Sequence, residues 1–298
     1  MSKLAAKIGV PALAVLALAG CGSSSSSSST ATTTSGSGGA NSAIVATVPA
    51  PIKSKGTLVV ASDATYAPNE FIEEGSHTVI GMDPDLMKAL GEVMGLKVNV
   101  VNATFDTIIP GLAAGKYDVG ASSFTDTLER QKTVDFVTYF TAGVSFYGKA
   151  SGSPEIKSVE ELCGKSVSVE KGTTEEEEAK SQSEKCTKAG KKSVTVLVFP
   201  EQTAANLAIT SGRAQLGMAD SPVAAYAVKQ SNGTLKLIGS TYGAAPYGIA
   251  LPKGDGMAAP IQAALKVLIA NGTYMKILEK WGIQAGAITN PEINAAKN

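Results

Sequence analysis

From Lys55 onward strand-like and helix-like segments alternate along the chain, a pattern that predicts an α/β architecture. Thr57–Ser62 reads as a strand, and residues 71–82 read as a hairpin around Gly75-Ser76, with His77 exposed in its polar turn. Asp83-Pro84 supplies an N-cap followed by proline at the first helical position. Leu86, Leu90, Val93 and Met94 then share one face until Gly95 stops the helix. Residues 96–101 form the next strand, 108–114 a helix and 118–121 a strand. Asp126-Thr127-Leu128-Glu129 reads as a capping box, and 142–149 returns as a strand.

A second unit repeats the scheme. Residues 166–169 are strand-like, and Gly172-Thr173-Thr174 opens a helix whose acidic first turn, 175–178, reads as a solvated turn favoured by the helix dipole. A strand at 194–199, a helix at 202–211 and strands at 215–218 and 247–251 follow. Residues 258–281 are largely helical with a break at Asn271-Gly272, and Trp281 reads as core.

Ahead of this region the pattern changes. Lys3 and Lys7 precede an apolar stretch of about 11 residues, shorter than the ~20 needed to span a bilayer, so it reads as a signal peptide. It ends in Leu18-Ala19-Gly20-Cys21, which resembles a bacterial lipobox and implies acylation of Cys21 and anchorage to a lipid membrane. Residues 22–54 are rich in Ser, Thr, Gly and Ala and are expected to be a flexible tether with a reach of roughly 30 Å.

Composition narrows the chemistry. Hydrophobic residues at 44% are enough for packed cores, and 26 basic against 26 acidic residues give no electrostatic case for nucleic acid as partner. A single His disfavours a zinc hydrolase or a histidine-based triad. With Cys21 acylated, Cys163 and Cys186 remain, an even pair that outside the cytoplasm reads as one disulfide, two free buried thiols being the alternative. A metal site would want a second Cys or His pair, so neither metal nor cofactor is expected.

Several spans, in order, resemble the polar amino-acid-binding solute receptors of bacterial ABC importers, extracellular solute-binding protein family 3. They are 56–68, 105–112, 115–118 and 122–130 with Thr127-Leu128-Glu129-Arg130, then 134–136 and Lys171-Gly172-Thr173-Thr174. Ser211-Gly212-Arg213 with Asp220, 247–254 and Asn271-Gly272-Thr273-Tyr274 complete the set, which covers roughly residues 55–282. Asn69, where the family usually has an aromatic residue, and Gln215, where an acid is common, depart from it.

The resemblance implies an α/β, two-lobed periplasmic-binding-protein type II fold with a ligand cleft between the lobes and a two-strand hinge near 144–149 and 239–247. The expected division is a signal peptide at 1–20, the lipidated Cys and tether at 21–54, lobe 1 at 55–146 and 244–285, lobe 2 at 147–243, and a C-terminal tail at 286–298. It further implies a monomeric, lipid-anchored extracytoplasmic receptor, not an enzyme, whose partners are a free amino acid and the permease subunits of an ABC transporter.

A free amino acid presents a carboxylate and an ammonium, and burying both requires partners for both. By family position Arg130 supplies a bidentate fork for the carboxylate, with the amides of Thr125 and Thr174 beside it. Asp220 would take the ammonium, with the Ser123 carbonyl and the Thr125 hydroxyl. Tyr66 and Phe105 would wall the side chain, and Asp63 and Glu170 would make its pocket negative, favouring a cationic amino acid, with glutamine or another polar neutral one, or an acidic one, as the alternatives. Against these stand blander roles: a surface salt bridge from Arg130 to Glu129, an N-cap at Asp220, a loop brace at Asp63, and a pair between Glu170 and Lys171. The alternative function is that of a fold-related dehydratase acting on an amino-acid-like substrate, which would need a general acid over a leaving hydroxyl.

Overall fold

The computed structural model describes residues 39–296; the expected signal peptide, Cys21 and the first part of the expected tether lie outside the described residues. Two short helices, α1 (Ser42–Thr47) and α2 (Ala50–Lys55), lead into β1 (Thr57–Ser62). A small antiparallel layer follows, β2 (Thr65–Tyr66), β3 (Glu70–Ile72) and β4 (Val79–Ile80). The helix α3 (Met82–Met94), strand β5 (Lys97–Asn102), helix α4 (Phe105–Ala113) and strand β6 (Val119–Gly120) come next. The long strand β7 (Val134–Lys149) then carries the chain into lobe 2. There β8 (Ser166–Glu170), α5 (Thr174–Lys188), β9 (Thr195–Phe199), α6 (Gln202–Thr210), β10 (Leu216–Asp220) and α7 (Ser221–Gln230) alternate. The return strand β11 (Leu235–Pro252) leads to α8 (Ala258–Ala270) and α9 (Thr273–Trp281).

One eight-stranded sheet, in the order β5-β1-β6-β11-β7-β10-β8-β9, runs through both lobes. The strands β1, β5 and β6 are parallel in lobe 1, as are β8, β9 and β10 in lobe 2, while β7 and β11 pair antiparallel from end to end with shifts of register between. The expected hinge strands are therefore the middle of a much longer ribbon. The pairing of β7 with β11 is interrupted between Ile238 and Tyr242 and again between Tyr242 and Ala245. Opposite lies Gly143, where a Cβ would stand 2.6 Å from the Tyr242 carbonyl oxygen, so only glycine admits this crossing.

Three local expectations change. Residues 42–54, assigned to the tether by composition, carry α1 and all of α2 but Lys55; Asn41 caps α1, and Ile44 and Val48 are buried against the α3 face. Ile44 lies on α1, Val48 in the extended break before Pro49 and Ile52 on α2, so no single helical period marks this segment. Asp83 is not a cap, because α3 starts one residue earlier after Gly81, which leaves Asp83 buried inside the first turn. Asp126 caps nothing either: its carboxylate accepts from Gln131 Nε2 at 2.6 Å and from the Ala295 N–H at 2.7 Å, tying the C-terminal residues 292–296 along β7.

Cys163 and Cys186 form a disulfide that fastens α5 to the turn before β8, with Cα atoms 5.6 Å apart. Closing a loop of 23 residues stabilises the fold by about 3 kcal/mol in the chain-entropy picture. Reduction should lower the urea midpoint accordingly; an unchanged midpoint would show that the bridge contributes no stability. Among the described residues no helix is long and apolar enough to cross a membrane, and no cluster of His, Cys, Asp or Glu has the form of a metal site.

Candidate ligand-binding cleft

The parallel strands of both lobes end at the same place. Asp63 directly follows β1, Ser122 and Ser123 follow β6, Glu170 ends β8 and Asp220 ends β10, so the carboxyl ends of four strands deliver side chains into one cleft. This is where ligands sit in open parallel sheets. The cleft is lined from lobe 1 by Asp63, Tyr66, Phe105, Ser122, Ser123, Thr125 and Arg130. From lobe 2 it is lined by Glu170, Thr173, Thr174, Glu175 and Asp220. All nine pocket residues expected from sequence thus meet here.

Arg130 does not pair with Glu129, which bonds Lys132 instead. Its guanidinium lies 5.4 Å from the ring centre of Phe105 and 5.6 Å from that of Phe124, two rings that stack on each other 4.5 Å apart. It donates to the Thr125 carbonyl and to the Gly172 carbonyl, each at 2.9 Å. The remaining donors of the fork are available to an anion.

Thr125 stands opposite Tyr247 in an antiparallel bridge whose hydrogen bonds run through Phe124 and Asp126. Its own N–H and carbonyl therefore face away from β11, on the Arg130 side. The Thr125 amide thus belongs to a strand bridge and not to a helix N-terminus.

Thr174 is the first residue of α5. Thr173 caps the helix by accepting from the Glu176 N–H at 3.2 Å, and Glu176 accepts in return from the Gly172 N–H at 2.6 Å. The acidic run is therefore not a uniformly solvated turn. Glu176 closes a capping motif, and Glu175 is buried at 2% exposure with its carboxylate in the cleft. The sequence reading missed Glu175, Thr173 and Ser122; the adjacency of Glu175 to Thr174 was the available signal.

Asp220 occupies the N-cap position of α7 but makes no side-chain cap bond. Its Oδ2 accepts from the Tyr66 hydroxyl at 2.9 Å, and that hydroxyl accepts from the Asp220 N–H at 3.2 Å. Asp63 is braced within lobe 1, accepting from the Phe105 N–H at 2.8 Å and from the Thr65 hydroxyl at 2.6 Å. Glu170 does not pair with Lys171, which reaches across to Asp106 at 2.8 Å. One oxygen of Glu170 and one of Glu175 are buried with no hydrogen-bond partner.

The cleft thus gathers four carboxyl groups around one guanidinium. Burial pushes all four above the usual carboxylate range, and their mutual repulsion adds to this at Asp220 and Glu170. Contacts between the lobes hold the cleft shut: Tyr66 to Asp220, Arg130 to Gly172, Lys171 to Asp106, and the Gln202 N–H to the Thr65 hydroxyl at 3.1 Å.

The same span is matched by a family profile. Residues 58–284 fit the bacterial extracellular solute-binding proteins, family 3. The chain belongs to that family. It is 34% identical over 252 residues to the arginine-binding protein ArgT of Corynebacterium glutamicum, covering 84% of this chain and 82% of that protein. An ancestral arginine-binding protein solved bound to arginine superposes with a TM-score of 0.69 at 39% identity, over 76% of this chain and 98% of that one. The ancestral amino acid-binding protein AncCDT-1, a precursor of cyclohexadienyl dehydratase, superposes with a TM-score of 0.70 at 37% identity, over 78% and 97% of the two chains. The two-lobed fold expected from the sequence is the fold these structures share.

Proposed function

We propose that this protein is an extracytoplasmic receptor that closes on a free L-amino acid with a cationic side chain and delivers it to an ABC importer. The observation that carries the reading is the pair of buried, unpartnered carboxylate oxygens on Glu170 and Glu175, set beside Asp63 and Asp220 with Arg130 as the cleft's lone cation. Unpaired buried charge is costly, and a ligand cation offsets that cost.

In this reading the α-carboxylate takes the free donors of Arg130 with the Thr125 and Thr174 amides, the latter at a helix N-terminus. The ammonium takes Asp220, the Ser123 carbonyl and the Thr125 hydroxyl. The side chain runs between Tyr66 and Phe105, and its cationic end meets Glu170 and Glu175. The names of ArgT and of the arginine-bound ancestor agree with a cationic ligand. The receptor works as a monomer, held at the membrane by acylated Cys21, and docks on permease subunits.

A thermal-shift screen of the common amino acids plus ornithine and citrulline tests the reading, since a ligand that binds only the native state raises the melting temperature. Arginine, lysine, ornithine or histidine should lead; a lead by glutamate or aspartate would overturn it. Glu170→Gln and Glu175→Gln should each weaken the leading cation about tenfold while leaving glutamine within about threefold. A dehydratase would use the protonated Glu170 as its acid, so turnover of an amino-acid-like substrate by the purified protein would favour that function instead.

A further inference from the structure

Behind the cleft, on the lobe 1 side, lies a second acidic group that touches no ligand-facing surface. Glu70 in β3 and Asp83 in α3 are buried at 0% and 1% exposure, and their carboxyl groups meet at one hydroxyl, with Ser123 Oγ 3.3 Å from Glu70 Oε2 and 3.5 Å from Asp83 Oδ2. The charged and titratable groups facing them are Asp63 after β1 and Tyr139 on β7, with Tyr247 of β11 packed on the Tyr139 ring. Among the described residues no Lys, Arg or His bonds either carboxyl group.

Two buried carboxylates at this separation cannot both ionise. Their partners indicate which one holds the proton. Asp83 Oδ2 accepts from the Ser123 N–H and from the Tyr139 hydroxyl, each at 2.8 Å, so it is the anion. Its other oxygen is buried with no hydrogen-bond partner, an acceptor open to an acid proton, and Glu70 is the carboxyl group that meets Asp83 at the Ser123 hydroxyl. Burial and the Asp83 charge both push Glu70 well up, in keeping with a neutral acid.

What the pair grips is the loop of the binding site. Glu70 accepts from the Ser122 hydroxyl at 3.0 Å and the Ser123 hydroxyl at 3.3 Å, and Asn69 donates to the Ser123 Oγ at 2.9 Å. Ser123 is held at φ 50°, a left-handed conformation that a serine does not adopt without support. Its carbonyl and the neighbouring Thr125 are the ammonium partners in the function proposed above. We propose that Glu70 and Asp83 share one proton and act as positioning residues, fixing the Ser122-Ser123 turn in the conformation that receives the ligand's ammonium group. Asn69, which departs from the family's aromatic residue, is part of this brace.

The inference rests on the cleft being an amino-acid site, and the experiment separates the two. Glu70→Gln keeps the shape and gives Asp83 an amide donor in place of the acid O–H; Glu70→Ala removes the grip. With L-arginine as probe in calorimetry at neutral pH, Glu70→Gln should bind within about threefold of wild type and Glu70→Ala at least about tenfold more weakly. At alkaline pH the wild type should lose affinity relative to Glu70→Gln, because only the wild type can place a second charge in the pair. The infrared difference spectrum of ligand-free wild type minus Glu70→Gln at neutral pH should show one protonated carboxyl band, a readout independent of any ligand and of the stability of Glu70→Ala. Superimposable pH profiles for wild type and Glu70→Gln, or the absence of that band change, would overturn the proposal. If L-arginine fails to bind the wild type, the cationic reading falls, and the amino acid giving the largest thermal shift takes its place as probe for the same comparison; if no amino acid shifts the wild type, both fall.

Discussion

Arg130→Ala should lose about 2–5 kcal/mol of ligand affinity, at least about thirtyfold, because truncation leaves the ligand's carboxylate buried without its charged partner. The side chain has three tasks, and all end together. It presents donors to the carboxylate, ties lobe 1 to lobe 2 through the Gly172 carbonyl at 2.9 Å, and stacks near the rings of Phe105 and Phe124. Arg130→Lys separates them. A lysine keeps the positive charge but has no planar fork, so it can serve one acceptor where arginine serves several. The lysine variant should therefore recover only part of the loss, about tenfold short of wild type. Calorimetry on the ligand that leads the thermal-shift screen makes the measurement. Binding by Arg130→Ala within threefold of wild type would remove Arg130 from the site.

The parts of the site legible in the sequence were those carried by residue type at a strand end or inside an ordered motif. Asp63, Glu170 and Asp220 each sit where a β-strand stops, and the parallel strands of each lobe point such ends into the cleft. Glu175 was hidden because a helix's first turn is where acids are expected on dipole grounds alone, and only the tertiary structure shows which of four successive glutamates turns inward. Asp83 failed for a related reason: Asp before Pro is a good cap locally, yet Gly81 starts the helix earlier and the carboxylate is drawn to Ser123 and Tyr139, partners 40 and 56 residues away in sequence. The length of β7 and β11 was equally out of reach, since each spans two lobes with different burial and shows no single period. Helices α1 and α2 were lost to composition, since each is only six residues long and the extended break at Val48 and Pro49 prevents a continuous helical period.

Acid should release a cationic ligand, and the direction follows from the pocket carboxyls. In the ligand-free fold Asp63, Glu170, Glu175 and Asp220 are all held above their ordinary range, first by burial. A raised carboxyl binds its proton more tightly folded than unfolded, so its stabilising contribution is complete below the unfolded value near about 4 and is lost as pH rises through the raised folded value. The empty protein therefore gains stability from these groups as pH falls from neutrality. A bound cation does the work of those protons and draws the carboxyls back toward ionisation, so ligand and protons compete. Between about pH 7.5 and about pH 5 the affinity for arginine should fall at least about hundredfold, the consequence of two carboxyls each regaining a proton over about one pH unit. Glutamine, which brings no side-chain charge to Glu170 and Glu175, should lose about tenfold or less over the same range. The measurement is the arginine-induced rise in melting temperature across the pH series, beside the melting temperature of the empty protein. The first should shrink on acidification while the second holds or rises. An arginine increment that stays constant would mean that no carboxyl changes protonation on binding, and the cationic reading of the pocket would fall with it.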